Sequence, residues 1–144
     1  MKEFERDDII VLVSRTLSPF IMLFALYVIF HGHHSPGGGF QGGTMLAAAV
    51  ILIRLAAGSE IGRLQFPRKL GTPLGAAGVF IYFGTGLAAM LSGGRFLNYA
   101  FLPAPGPAPF LRWLGILLVE VGVGLAVMGI LTAIYDDLLE EEEL

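Results

Sequence analysis

The sequence predicts an all-α integral membrane protein with four transmembrane helices. Of the 144 residues, 55% are hydrophobic and 15% are charged, and the mean hydropathy is +0.74. A soluble domain has about 25% charged residues and could not bury this much apolar surface. The apolar residues also fall into four long stretches, which a bilayer accommodates.

The apolar stretches predict spans at about 9–30, 43–58, 71–92 and 113–135, followed by an acidic, solvated tail at 136–144. Three of them have the roughly 20 residues that a helix needs to cross the hydrocarbon. The second is short, so we expect it to take in residues 40–43 from the preceding connection. The whole chain, 1–144, then forms a single membrane domain.

The distribution of Lys and Arg predicts that both termini face the cytoplasm. Basic residues concentrate on the cytoplasmic side of membrane proteins. Six occur before the first span or around the second connection, none in the first connection, and two in the third. The six are Lys2, Arg6, Arg54, Arg63, Arg68 and Lys69, and the two are Arg95 and Arg112.

Small residues recur along one side of the third and fourth predicted spans. In the third span they are Gly71, Gly75, Gly78, Gly86, Ala89 and Gly93, and in the fourth Gly115, Gly122, Ala126, Gly129 and Ala133. Such stripes let helix backbones approach closely, as membrane helices do when they pack. We interpret them first as packing within the bundle, with docking on a partner subunit as the alternative.

The connection between the first two spans is the most distinctive part of the chain. Its glycine-rich part comprises Pro36, Gly37, Gly38, Gly39, Phe40, Gln41, Gly42 and Gly43. So many glycines indicate a backbone in conformations that other residues avoid, or a backbone pressed against a neighbour. This segment therefore predicts a tight turn, or a loop that dips into the membrane where protein or water covers its amides.

Two nucleotide-binding motifs nearly occur in this segment, and both are excluded. The dinucleotide motif G-x-G-x-x-G is matched by Gly37, Gly39 and Gly42, but it requires a preceding strand, whereas a membrane-length helix precedes it here. The P-loop pattern fails because Gly43 stands where the phosphate-binding lysine must be. We expect no nucleotide and no other cofactor.

Three histidines, His31, His33 and His34, begin the connection. The simplest interpretation is a set of interfacial loop residues. Because imidazole titrates near neutral pH, His33 is also a candidate for a proton relay or a pH sensor. Metal binding is disfavoured because no thiolate or neighbouring carboxylate completes a typical ligand set. The chain has no cysteine, which excludes disulfides and thiol catalysis.

Two charged residues, Arg15 and Glu120, are predicted well within the spans. A charge near the bilayer centre costs at least about 2.5 kcal/mol, so each is a functional candidate. Glu120 requires a water path, a partner from another helix, or a proton, and it either conducts ions or fixes helix packing. Arg15 either snorkels or binds a carboxylate of a neighbouring subunit, and we predict no direct pair between Arg15 and Glu120.

The sequence resembles the B subunits of the Mrp-type (Mnh-type) cation/proton antiporters, also found in the Mrp-like module of membrane-bound hydrogenase-type complexes. The resemblance covers nearly the whole chain. It rests on Gly32-His33 and the string Pro36 to Gly43, on Arg15, Pro19 and Tyr27 in the first span, on Gly94, Phe96 and Leu97, and on Glu120, Gly122 and Val123.

The resemblance implies an accessory subunit of a multisubunit Na+/H+ antiporter in a prokaryotic cell membrane. Its partners would be the other subunits, the lipid bilayer, and the Na+ and H+ that the complex transports. Glu120, His33 and Arg15 are the candidate residues of an ion or proton path. The alternatives are a subunit in the membrane arm of a redox-driven, hydrogenase-type pump and a purely structural subunit. With no nucleophile–base set and no contiguous basic patch, neither an enzyme nor a nucleic-acid-binding protein is expected.

Overall fold

The computed structural model describes residues 8–34 and 37–143, with side chains as far as residue 140. Within these residues the chain forms five α-helices: α1 Asp8–Phe30, α2 Gly39–Ala57, α3 Ser59–Gln65, α4 Gly71–Leu91 and α5 Ala108–Glu143. Short 3₁₀ turns at Arg68–Leu70 and Tyr99–Phe101 precede α4 and α5. Four of the helices are long and apolar enough to cross a membrane, and the described residues contain no strand. The predicted four-helix membrane class is confirmed.

Two helices extend beyond the apolar stretches that predict them. Helix α2 begins at Gly39, so most of the expected glycine-rich connection belongs to the helix itself. Helix α5 begins at Ala108 and continues past Tyr135 to Glu143, although the apolar stretch ends near Tyr135. A helix length follows from backbone hydrogen bonding and side-chain packing, and Asp and Glu near a helix end interrupt neither.

The small-residue stripes of α4 and α5 pack against each other. A Cβ atom at Gly129 would lie 2.5 Å from both the carbonyl oxygen of Gly71 and the amide nitrogen of Gly75. Further along, the backbone at Gly78 lies directly on Gly122 and Ala126. These contacts give the stripes a role inside the bundle, with the two helices running antiparallel.

At the other end of the stripes, aromatic side chains take the place of the facing helix. Gly86 of α4 lies against the ring of Phe96, and Gly115 of α5 lies against the ring of Tyr99. Both rings belong to the connection between α4 and α5, residues 92–107. The small residues there make room for this connection to fold onto the bundle.

Helix α2 lies at the centre of the bundle, between α1 and α5. Eleven of its 19 residues are buried, whereas the hydrophobic window of α1 is only 17% buried. The core forms where Ala25 and Ile29 of α1 meet Leu46 of α2. Met128 of α5 packs against this cluster. Helix α1 therefore contacts the bundle along one side and leaves most of its apolar surface for lipid or for other proteins.

The bundle has two ends, which we call the terminus face and the histidine face. The terminus face contains the start of α1, the end of α2, helix α3 and the end of α5. The histidine face contains the connection between α1 and α2 and the connection between α4 and α5. The predicted orientation assigns the terminus face to the cytoplasm.

The α1–α2 pair is displaced toward the terminus face relative to α4. Gly39 of α2 meets Glu120 of α5, and Gly78 of α4 meets α5 between Gly122 and Ala126. From the level of Gly78, α4 continues to Leu91 over about 20 Å, and Glu120 lies about one turn of α5, or about 6 Å, above the same level. Helix α2 therefore begins about 14 Å below the end of α4. In a hydrocarbon layer about 30 Å thick, the first amides of α2 must be covered by protein or water.

Candidate functional site

Glu120 and the N-terminus of α2 form the most unusual contact in the structure. The backbone N–H of Gly39 donates a hydrogen bond to Oε2 of Glu120. Gly39 is the first residue of α2, and the Glu120 side chain comes from the middle of α5. A helix N-terminus carries partial positive charge and unpaired N–H groups, and both stabilise a carboxylate. Glu120 thus has a partner from another helix, and that partner is an uncharged amide.

The glycines around Glu120 are required by this contact. A Cβ atom at Gly38 or Gly39 would overlap Glu120, and one at Gly32 would lie 3.0 Å from the Glu120 carboxyl carbon. Gly37 and Gly38 also have φ values of 125° and 113°, which strongly favour glycine. Glycine is needed here both for backbone conformation and for close approach. Pro36 lies outside the described residues.

The next glycines bring α2 against its two neighbours. A Cβ atom at Gly42 would lie 2.8 Å from the carbonyl oxygen of Ala25 in α1, and one at Gly43 would lie 2.6 Å from the carbonyl oxygen of Gly124 in α5. Phe40 and Gln41 point outward and are exposed. The glycine-rich string thus seats the first turn and a half of α2 in the groove between α1 and α5, which fixes its N-terminus at Glu120.

The histidines lie between Glu120 and the end of the bundle that we call the histidine face. The ring of His31 stacks on Tyr27 with centroids 4.1 Å apart, and its Nδ1 is 3.0 Å from the Tyr27 carbonyl oxygen. His33 is half-buried, and its ring meets Trp113 edge-on at 6.3 Å. Trp113 precedes Glu120 by about two turns of α5, so His33 lies roughly 10 Å further toward the histidine face. Among the described residues, no group of three His, Asp or Glu side chains could hold a metal ion.

Tyr99 adds a further titratable group near the site. It lies in the connection between α4 and α5, and its ring covers Gly115. Burial raises the pKa of Tyr99, and the neighbouring Tyr82 and Glu120 raise it further. The phenol therefore stays neutral at physiological pH.

Arg15 lies far from Glu120 and has a different environment. It is exposed, and it lines a groove between α1, α2 and α3 on the terminus half of the bundle. Among the described residues, Arg15 makes no ion pair with Glu120 or with any other acid. The three predicted path residues therefore occupy two places: Glu120 and His33 toward the histidine face, and Arg15 toward the terminus face.

A buried ion pair at the other end of α2 corrects two expectations from the sequence. The sequence predicts that Arg54 flanks a connection, but the residue is 3% exposed. The sequence also predicts a solvated tail from residue 136, but Asp136 is 8% exposed and its Oδ1 accepts a hydrogen bond from Nη1 of Arg54. Nη2 of Arg54 donates to the carbonyl oxygen of Phe66 at 2.7 Å.

Helix α3 is the reason for this burial. It folds back along α2, so that Gly62 lies against the Arg54 side chain and Gln65 reaches Ser18 of α1. The Arg54 side chain is thereby enclosed between α2, α3 and α5. The sequence gives little indication of this enclosure. Helix α3 is too short to appear as an apolar span in the hydropathy, and Gly62 is the residue that allows its close approach to Arg54.

Comparison with known proteins agrees with the whole-chain resemblance. Residues 9–133 match a family described as a domain related to the MnhB subunit of the Na+/H+ antiporter. The chain is 31% identical to the Na+/H+ antiporter B subunit of Bacillus subtilis, over 99% of this chain and all of that protein. It is 32% identical to the protein of the same name from Alkalihalophilus pseudofirmus, over 96% of this chain and all of that protein. The chain therefore belongs to the family of domains related to the MnhB subunit of Na+/H+ antiporters.

Proposed function

We propose that this chain is an accessory subunit of a multisubunit Na+/H+ antiporter in the cell membrane of a prokaryote. The support is that two relatives named as B subunits of such antiporters match it along their entire lengths. A subunit role also fits the weak burial of α1, whose large apolar side chains are mostly exposed. The partners would be the other subunits of the antiporter, and the chain would act as part of a transporter and not as an enzyme.

Within that complex, we infer that Glu120 borders the route of the transported ions. The observation that carries this inference is the hydrogen bond from the Gly39 amide to the Glu120 carboxylate. Because the partner is neutral, Glu120 can bind a proton or a cation without leaving an opposite charge unpaired. His33, which contacts Trp113 about two turns of α5 further toward the histidine face, would border the same route.

The Glu120→Gln variant tests this role. The glutamine carbonyl oxygen can still accept the Gly39 hydrogen bond, so the variant removes the charge and keeps the contact. We expect the complex to assemble in normal amount and Na+-dependent proton release from inverted membrane vesicles to fall by at least tenfold. Glu60→Gln is the matched control, since Glu60 is an exposed carboxylate on α3, and it should transport normally.

Normal transport by an assembled Glu120→Gln complex would instead identify the chain as a structural subunit. Membership of an antiporter is tested separately by purifying the complex through a tag on this chain. Other antiporter-type membrane subunits should copurify. Iron–sulfur subunits in the same preparation would favour the redox-driven alternative, and recovery of the chain alone would contradict both.

A further inference from the structure

The groove beside Arg15 has the properties of a lipid site. It has a volume of about 330 Å³ and lies between α1, α2 and α3. Arg15 and Pro19 form one wall, and Ile61 and Leu64 of α3 form the other. One side of the groove is thus cationic, while the other is apolar.

The polar groups at the base of the groove are already paired. The Ser18 hydroxyl donates to the carbonyl oxygen of Ala49 at 3.2 Å, and the Gln65 side-chain amide donates to Ser18 Oγ at 3.2 Å. Among the described residues that line the groove, Arg15 carries the charge that lacks a counter-charge. A ligand here must therefore bring an anionic group.

The described acids of the terminus face do not supply that group. Asp136 is paired with Arg54, and Asp137 and Glu140 are paired with Arg68. Within the described part of the chain, three cations and two acids of this face are left without an ion pair: Arg15, Arg63 and Lys69, and Asp8 and Glu60. Because Arg68 pairs with two acids, the described charges of this face balance overall, but none of these acids forms an ion pair with Arg15.

The depth of Arg15 corresponds to the level of lipid headgroups. Ser18 is level with Ala49, and α2 ends eight residues further, at Ala57. Arg15 is one turn closer to the terminus face than Ser18, which leaves it about 7 Å from the end of α2. An arginine side chain can extend over that distance to the interface. Helix α3 beside it exposes 86% of Leu64 and 40% of Ile61, which suits contact with acyl chains.

We propose that this groove binds an anionic phospholipid, with the headgroup phosphate on Arg15 and an acyl chain along Leu64. Basic pockets between transmembrane helices recognise anionic headgroups through this combination of charge and depth. The site is independent of the ion route at Glu120, so either proposal can fail without the other.

Photocrosslinking in the intact complex tests the proposal, because it distinguishes a lipid from a partner subunit. Leu64 is replaced by p-benzoylphenylalanine, and the complex is placed in nanodiscs of equal parts phosphatidylglycerol and phosphatidylcholine. Leu91 is the matched control, since it is 88% exposed at the opposite face. We expect lipid adducts at both positions, with a phosphatidylglycerol-to-phosphatidylcholine ratio about fivefold higher at Leu64, as one cation near an anionic headgroup produces.

Arg15→Gln should bring the Leu64 ratio down to that of Leu91. In the unaltered complex, 0.5 M salt should lower it too, because exposed charges are screened. A Leu64 adduct with another subunit would overturn the proposal and indicate an acidic protein partner. Equal phosphatidylglycerol-to-phosphatidylcholine ratios at Leu64 and Leu91 would also overturn it. So would a Leu64 ratio that is unchanged both by Arg15→Gln and by 0.5 M salt.

Discussion

The two ends of α2 are both held by acids of α5, but in different ways. At the N-terminus, the Glu120 carboxylate accepts a hydrogen bond from a neutral amide and is half-buried. At the C-terminus, Asp136 is buried against the Arg54 guanidinium. Both arrangements place a charge where the helix dipole favours it, an acid at the start and a base at the end. They differ in the group that would be left without its charged partner if the acid became neutral.

This difference bears on the proposed ion route, because only the Glu120 end could lose its charge without leaving a buried opposite charge unpaired. If Glu120 becomes neutral, its partner is still the backbone N–H of Gly39, and the oxygen of a protonated carboxyl or of a glutamine amide can still accept that hydrogen bond. Neutralising Asp136 leaves a buried guanidinium with no counter-charge, which is costly in a low-dielectric interior. The Glu120 end is therefore compatible with the proposed ion route, whereas the Asp136 end holds α2 and α5 together.

Asp136→Leu should give the largest loss of stability. It leaves Arg54 buried and unpaired, and breaking a buried pair in this way costs about 3–5 kcal/mol. We expect much less assembled complex in the membrane, measured by fluorescence-detected size-exclusion chromatography before and after heating. The Arg54→Leu, Asp136→Leu double variant should recover much of the loss. A double variant as unstable as Asp136→Leu would show that the charge imbalance is not the cause.

Gly39→Ala should have the next largest effect, because it pushes a methyl group into the Glu120 backbone. Overpacking of this kind costs about 1–3 kcal/mol. Gly84→Ala is the matched control, since nothing lies within 4 Å of the added atom and alanine favours a helix. The melting temperature of the complex should fall for Gly39→Ala and stay level or rise for Gly84→Ala. A similar change in both would contradict the close approach of α2 to Glu120.

Glu120→Ala should have a smaller effect on stability than Gly39→Ala, although it removes the acceptor. An unsatisfied buried N–H costs about 1–3 kcal/mol, and we expect the low end because Glu120 is half-buried and removal of its side chain would open Gly39 to water. Stability should be lower for Glu120→Ala than for Glu120→Gln, while transport should be lost in both. Equal stability of the two variants would mean that the Gly39 hydrogen bond contributes little.

Hydropathy predicts the four spans, and residue chemistry selects Glu120, because both depend on local properties of the chain. The partner of Glu120 depends on the axial register of α2 against α5. That register is set by contacts such as Gly43 on Gly124, which join residues distant in sequence. The glycines indicate close packing, but they do not say which helix they meet.

The pair of Arg54 and Asp136 shows where such reasoning fails. Each residue lies near the end of an apolar stretch, where a charge normally faces water. Their burial depends on α3 folding back over Arg54 and on α5 continuing past Tyr135. Neither feature changes the hydropathy of the spans, so the sequence predicts that Arg54 and Asp136 both lie at the surface.

Arg68 provides the smallest effect and a direct contrast with Arg54. It also pairs with acids of α5, with Asp137 at 3.4 Å and with Glu140. However, these side chains are 25%, 78% and 60% exposed, so solvent and salt screen them. Surface ion pairs contribute little because the attraction barely exceeds the cost of ordering the side chains. Arg68→Gln should therefore leave the melting temperature within error of the unaltered complex, at low and at high salt. A loss comparable to that of Asp136→Leu would show that the end of α5 is held by its exposed acids, and that the burial of Asp136 is not what distinguishes this end of α2.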